Sequence, residues 1–374
     1  MAKTKSKFKI KNHLNYIVIG IVLIITTILN MTGELGRLDR STLVRISFSI
    51  VLAVSLNLVV GFLGELSLGH AGFMCVGAYL GGYCINILSN VIESDLVVCI
   101  IAMLIGGIIA AFFGLIIGVP ALRLRGDYLA IATLAFGEIV RNIFKNLSFF
   151  GGSQGLTVKM YPEKELFIVA LIVVIIVLVL SQNLIRSKHG RAVTAIRDNE
   201  IAAKSMGINV TFYKLFIFII AAFFAGVAGV IYAQCFGQVK QESFSYNYSI
   251  EILVMVVLGG MGSVNGSIIA ATIITYLNIL LQNELSGPLA SVKLVVYAII
   301  LIFAILFNNA PSFKNLKNKL SFKGKGKKSK EKDESKENRY ENPENRIRLC
   351  PGGSPSPFPE PDGLCRLAPY RHSR

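Results

Sequence analysis

Residue types able to do covalent or metal chemistry are sparse in this chain of 374 residues and lie far apart. The four histidines, His13, His70, His189 and His372, have no ligand spacing, and no HExxH, GxSxG or phosphate-cradling GxxxxGK[ST] segment occurs. No CxxC occurs either. Cys75, Cys84, Cys99 and Cys235 sit in apolar stretches as small hydrophobes, and Cys350 and Cys365 belong to the terminal stretch. Catalytic residues, metal ligands and a directly bound cofactor are therefore not expected, and any energy the protein uses has to come from a partner or an ion gradient. The remaining chemistry is the placement of polar backbone and a few charges.

Four stretches carry that chemistry. Gly190 to Gly207 contains Arg191, Arg197, Glu200, Ala202 and Ala203, is rich in alanine and has no internal Gly or Pro. It predicts one helix of about four turns ended by Gly207 as a left-handed cap. Ser55 to Gly72 holds Gly64, Glu65, Ser67, Gly69, His70 and Gly72. Glycine at that density weakens a helix by about 1 kcal/mol per residue, so a break or a close helix approach is expected there. A second glycine-rich break comprises Gly259, Gly260, Gly262 and Gly266. The fourth stretch, Leu122 to Glu138, offers Asp127 as a helix N-cap after Arg123 and Arg125, and the turn cluster Gly151, Gly152 and Gly155 follows it.

The elements that must position these residues are membrane helices. Hydrophobic residues make up 53% of the chain and charged residues 16%, against about 25% charged in soluble domains. A bilayer core takes about 20 helical residues. Uncharged windows of that order run Leu14 to Gly33, Ile46 to Gly64, Ala71 to Ile92, Leu96 to Val119, Leu166 to Ile185, Leu215 to Val239, Ile252 to Asn283 and Leu294 to Phe313. Tyr128 to Asn146 adds another, with Glu138 and Arg141 three apart on one face where they can neutralise each other. The window from Ile252 is too long for one crossing and splits at its glycines. The expected fold is an all-α polytopic helix bundle of about ten transmembrane helices, with eight as the lower count.

Charge gives the orientation. Net charge is +16, much of it in Lys3, Lys5, Lys7, Lys9 and Lys11 and in ten lysines from Lys314 to Lys336. Basic tails on an apolar body read as cytoplasmic anchors, not as a nucleic-acid surface. Ten spans place both tails, Arg123 to Arg125 and the loop Arg186 to Lys214 inside, and Arg37 to Arg40, Glu93 to Asp95, Ser148 to Glu165 and Lys240 to Glu242 outside. The domain reading follows: 1–13 a basic cytoplasmic N-tail, 14–313 the transmembrane domain with its cytoplasmic helix at about 190–207, 314–344 a disordered lysine-rich tail, and 345–374 an atypical, disordered extension with six of the eleven prolines. In a membrane, Gly64 to Gly72 and Gly259 to Gly266 become candidates for a translocation path, because irregular polar backbone is tolerated there only beside protein or water. The alternative is close packing of small residues. The helix at 190–207 suits docking of a cytoplasmic partner, or equally an amphipathic helix at headgroup level.

Taken together, SLNLVVGFLGELSLGHAGF, LRLRGDYLAIATLAFGEIVRN, GGSQGL, the Gly190 to Gly207 helix and VLGGMGSVNGSIIAA closely resemble the LivM branch of the branched-chain amino-acid ABC permeases. They stand in the family's order over roughly Ser55 to Tyr276. The resemblance implies a permease subunit in a bacterial or archaeal cytoplasmic membrane, surrounded by lipid. Its implied partners are a homologous second permease, two cytoplasmic ATPase subunits that hydrolyse the ATP, and an extracytoplasmic substrate-binding protein. Glu200, Ala202, Ala203 and Gly207 match the EAA-type signature that docks on the ATPase, with Arg191 and Arg197 on the same helix. Gly151, Gly152 and Gly155 become the candidate loop for the binding protein. Ser267 departs from the proline common in the family at that place. The family also includes carriers of urea and short amides. A different class, an ion-coupled secondary transporter, needs titratable groups deep in the membrane, and only Glu138 qualifies.

Overall fold

The computed structural model describes residues 36–124 and 126–284. In chain order these are α1 (Arg37–Asn57) running into a π-helical turn (Leu58–Leu63), α2 (His70–Leu88), α3 (Asp95–Ala121), α4 (Asp127–Asn146), β1 (Leu156–Thr157), α5 (Glu163–Arg186), α6 (Lys188–Asp198), α7 (Glu200–Ser205), α8 (Val210–Phe236), β2 (Gln238–Val239), α9 (Tyr246–Gly259) and α10 (Val264–Glu284). Among the described residues, six helices are long and apolar enough to cross a membrane: α1 with its π turn, α2, α3, α5, α8 and α10. α4 carries Glu138, Arg141 and Lys145, and α9 has only 14 residues. The windows Leu14 to Gly33 and Leu294 to Phe313, both tails and the extension lie outside the described residues. The protein is an all-α, polytopic membrane helix bundle.

Small residues decide how the centre packs. A Cβ added at Gly77 of α2 would fall on the backbone of Gly226 in α8, and one at Gly229 on Met74 O. Gly106 of α3 approaches the same place, where an added Cβ would stand 3.1 Å from Gly77 O. Helices that cannot use the hydrophobic effect against lipid gain from backbone approach of this kind. Away from this centre, α3 turns Ile100, Leu104, Ile108, Phe112 and Ile116 outward, an apolar face suited to lipid.

The two ends of the bundle are distinct. At one, β1 and β2 pair antiparallel, Asn86 Nδ2 donates to Thr157 O at 2.7 Å, and Lys159 meets Asp95 at 3.1 Å. Gln238 and Gln241 donate to the carbonyls of Gln154 and Ser153. Glu93 to Asp95, Ser148 to Glu165 and Lys240 to Glu242, read from charge as lying outside, therefore gather at one end, and the opposite end carries α6 and α7.

Two local expectations change. Gly190 to Gly207 is not one helix: α6 starts at Lys188, capped by Ser187, and stops at Asn199, whose extended backbone (φ −160°, ψ 103°) separates α6 from α7. Asn199 Oδ1 accepts from Ala202 N at 3.0 Å, so the side chain starts a new helix instead of continuing the old one. Asp127 is not an N-cap. It occupies the first turn of α4 behind Gly126 (φ 59°), which is the N-cap, and its charge lies near the positive helix end.

Candidate functional site

The end of the bundle carrying α6 and α7 brings together residues remote in sequence. Arg197 of α6 donates from Nη1 to Gly61 O at 3.1 Å in the π turn. Its aliphatic stem lies on Gly64, where an added Cβ would stand 2.7 Å from Arg197 Cγ. Gly61 abuts Gly262, and Asn57 Oδ1 accepts from Gly262 N at 2.9 Å. Lys214 of α8, 4% exposed, donates to Glu65 and, at 3.2 Å, to Glu200 of α7. A buried ammonium requires such partners. One network therefore ties α6 and α7 to both glycine-rich breaks. A cavity of about 240 Å³ opens beside it, lined by Phe62, Gln182, Arg186, Gly262, Ser263 and Asn265 among others.

Within the first break, Ser67 and His70 are buried. His70 Nε2 shares a 2.8 Å hydrogen bond with Ser55 Oγ. Thr133 Oγ1 of α4 accepts from Leu68 N at 3.0 Å, and Ser249 Oγ of α9 accepts from Ala71 N at 3.1 Å. Gly69 and Gly72 press on α4, the latter 2.7 Å from Gly137 Cα when a Cβ is added. In the second break Gly259 and Gly266 pack on each other, while Gly260 and Gly262 turn the corner between α9 and α10.

On α6, Arg191 Nη1 donates to Arg186 O at 3.4 Å, and on α7 Ala202 is exposed and Ala203 buried. Gly207 has φ 81°, and Ile208 N donates to Ala203 O at 3.2 Å, closing α7 as a Schellman turn. At the far end, Gly151, Gly152 and Gly155 all have positive φ and fold the loop against β2.

Glu138 and Arg141 of α4 form the pair foreseen in the sequence, at 2.7 Å. Glu138 Oε1 also accepts from Tyr246 N at 3.0 Å, so this carboxylate caps the start of α9 as well.

A family model described as the permease component of a branched-chain amino acid transport system matches residues 40–305. The chain belongs to this family. It is 37% identical over 272 residues to the high-affinity branched-chain amino acid transport system permease protein LivM of Salmonella typhimurium, and equally so to that of Escherichia coli, covering 64% of this chain and 62% of each relative. The chain thus spans less than two thirds of the length of these relatives. It is also 25% identical over 320 residues to the ribose import permease protein RbsC of Haemophilus influenzae, covering 80% of this chain and 94% of that one.

The family member's network includes side chains that the sequence reading did not single out: Lys214, Asn57, Thr133, Ser249 and Asn199. Lys214 left a signal, a lysine at the lip of an apolar window, where a buried position demands two carboxylates. Asn57 left another, as an amide inside the window Ile46 to Gly64. Thr133 and Ser249 left none, because hydroxyls are common in membrane helices.

Glu138→Gln keeps an acceptor for Tyr246 N but removes the counter-charge of the half-buried Arg141. The expected outcome is a stability loss of about 1.5–3 kcal/mol, in the range of hydrogen bonds to charged groups. Thermal unfolding of the purified protein in detergent measures it, and an unchanged midpoint would show the pair to be dispensable for packing.

Proposed function

We propose that the chain is the permease subunit of an ATP-driven importer for branched-chain or related amino acids. In this reading both termini are cytoplasmic, one of two ATPase subunits docks on α6 and α7, a homologous second permease completes the membrane unit, and an extracytoplasmic binding protein delivers solute at the end formed by β1, β2 and Gly151 to Gly155. The carrying observation is the network of Arg197, Lys214, Glu65, Glu200 and Asn57, since a push on α6 or α7 is transmitted directly to both glycine-rich breaks. The outer surface around α7 supports the docking role: Ile201 of α7 and Met206 at its C-terminal cap are 76% and 82% exposed, large apolar side chains that a partner would cover. Closure of the ATPases would then rock the attached helices as semi-rigid bodies.

Reconstitution decides it. With the ATPases, second permease and binding protein in sealed vesicles, labelled leucine should accumulate only when ATP is supplied, and ribose or urea in excess should not compete. Accumulation driven by an ion gradient in the chain alone would replace this reading with a secondary carrier.

Gly207→Val separates coupling from folding. Nothing lies within 4 Å of a Cβ at Gly207, so no clash arises. The left-handed backbone still disfavours a β-branched residue by about 1–2 kcal/mol, which should unwind the end of α7. ATP hydrolysis should continue with a normal melting midpoint while leucine uptake falls several-fold; undiminished uptake would remove Gly207 from the coupling path.

A further inference from the structure

α3 and α5 both flank α8 without packing closely on each other, and a strip of α8 lies open between them. The result is a groove of about 380 Å³, lined by Ala111 of α3, Leu180, Ser181 and Leu184 of α5, and Ile220 and Phe223 of α8 among others. Phe212, Phe216, Ile220 and Phe223 follow one another at helical spacing, so the apolar floor continues along α8 to the end of the bundle that carries α6 and α7. About 20 Å of helix separates Phe223 from Val210 at that end. The groove therefore reaches the middle of a hydrocarbon core about 30 Å thick.

Ser181 is the only polar residue of the lining. It is 1% exposed, and its Oγ has no hydrogen-bond partner among the described residues. Ser47 and Thr272, on other helices, donate to the carbonyl four residues back at 2.8 and 2.9 Å. Ser181 does not, and a lone hydroxyl in an apolar wall calls for an acceptor from elsewhere. Water does not answer that need, because a buried water itself requires two or more polar partners.

The lip of the groove is basic. Arg186, Lys188 and Arg191 stand where α5 passes into α6, with no carboxylate between them. His189, in the same run, rests on α8 with its ring 5.9 Å from Tyr213 and 6.0 Å from Phe216. The carboxylates further along are engaged, Asp198 with Arg197 and Glu200 with Lys214. Ser181 lies about 7.5 Å of helix inward from Arg186. Cations, then a hydroxyl, then an apolar trough reproduce the order of phosphate, ester and hydrocarbon in a phospholipid.

We propose that the groove holds one acyl chain of an anionic phospholipid from the leaflet at the α6 and α7 end. Ser181 Oγ donates to its ester carbonyl, and its phosphate lies against Lys188 and Arg191. The chain fills a gap whose walls otherwise lack partner atoms. The inference needs only a membrane-spanning bundle, so it stands or falls apart from the importer reading.

The sequence contains no tryptophan, so a single introduced one reports only its own surroundings. Leu180→Trp puts it on the rim of the groove. Ile116→Trp is the reference, on the outward face of α3, where Ile116 is 51% exposed at a similar distance from its helix end. Each full-length variant is placed in phosphatidylcholine vesicles containing a small fraction of either brominated phosphatidylglycerol or brominated phosphatidylcholine. At position 180 the anionic lipid should quench with at least about fivefold preference, the factor that one surface cation is worth. At position 116 the two lipids should quench alike. Lys188→Glu with Arg191→Gln, and separately Ser181→Ala, should bring position 180 to the level of position 116. An acidic side chain suits the first position of α6, and circular dichroism checks that each variant keeps its helix content. Equal quenching by both lipids at position 180, or a preference that survives either change, overturns the proposal. Quenching by neither lipid there overturns it as well, since another segment of the chain or a second copy would then cover the groove.

Discussion

Lys214→Met is expected to lower both stability and ATP-driven uptake more than any other single charge change among the described residues. The lysine side chain is 5% exposed and its partner Glu65 14% exposed, so removing the ammonium leaves a carboxylate nearly out of water. Breaking a buried pair in this way costs about 3–5 kcal/mol, whereas removing both charges is often close to neutral. Glu200, with 35% of its side chain exposed, keeps much of its hydration and should lose little. The two arms can therefore be told apart by double-mutant cycles. Lys214→Met with Glu65→Gln should regain most of the lost melting midpoint, while Lys214→Met with Glu200→Gln should regain almost none. Neither double variant should regain uptake, because the link from α7 to the break is gone in both. Equal recovery in the two cycles, or uptake restored together with stability, would mean that Lys214 only fills space.

How much of this could be read from residues alone differs between the helices and the junction. The window Ile46 to Gly64 lies within the span Asp39–Leu63 to one residue at its end, because about 30 Å of hydrocarbon imposes a length that apolar composition reports directly. The corner at Gly259 to Gly266 was equally visible, since glycine density signals a break whatever packs against it. Glu138 and Arg141 were legible because three residues of helix bring them together without help from the rest of the chain. The junction was not legible: Asn57 meets Gly262, and Lys214 meets Glu65, across sequence separations that only the tertiary fold closes. Asn199 shows a different limit. Alanine-rich composition favours one helix, but the amide side chain competes locally as a cap, and that competition outweighed propensity at one residue.

The other large effect is expected from Gly61→Ala, a change of one methyl group. The added carbon would fall on Asn57 Oδ1 and on Gly262 N, with Gly262 Cα 2.9 Å away. A side-chain oxygen can rotate aside, but the backbone of Gly262 cannot, so the π turn and the α9–α10 corner have to separate. Overpacking of this kind costs typically 1–3 kcal/mol, and loss of the Asn57 to Gly262 hydrogen bond adds about 0.5–1.5 kcal/mol. Arg197, bonded to Gly61 O and resting beside Gly262, loses its seat at the same time. A lowered melting midpoint together with near-complete loss of uptake is the expected pair of results, in contrast to Gly207→Val, which should spare the midpoint. Asn57→Ala combined with Gly61→Ala relieves only the side-chain half of the clash and should recover little. If Gly61→Ala melts and transports as the parent does, the two glycine-rich breaks do not touch, and a movement of α6 would have no direct route to the α9–α10 corner.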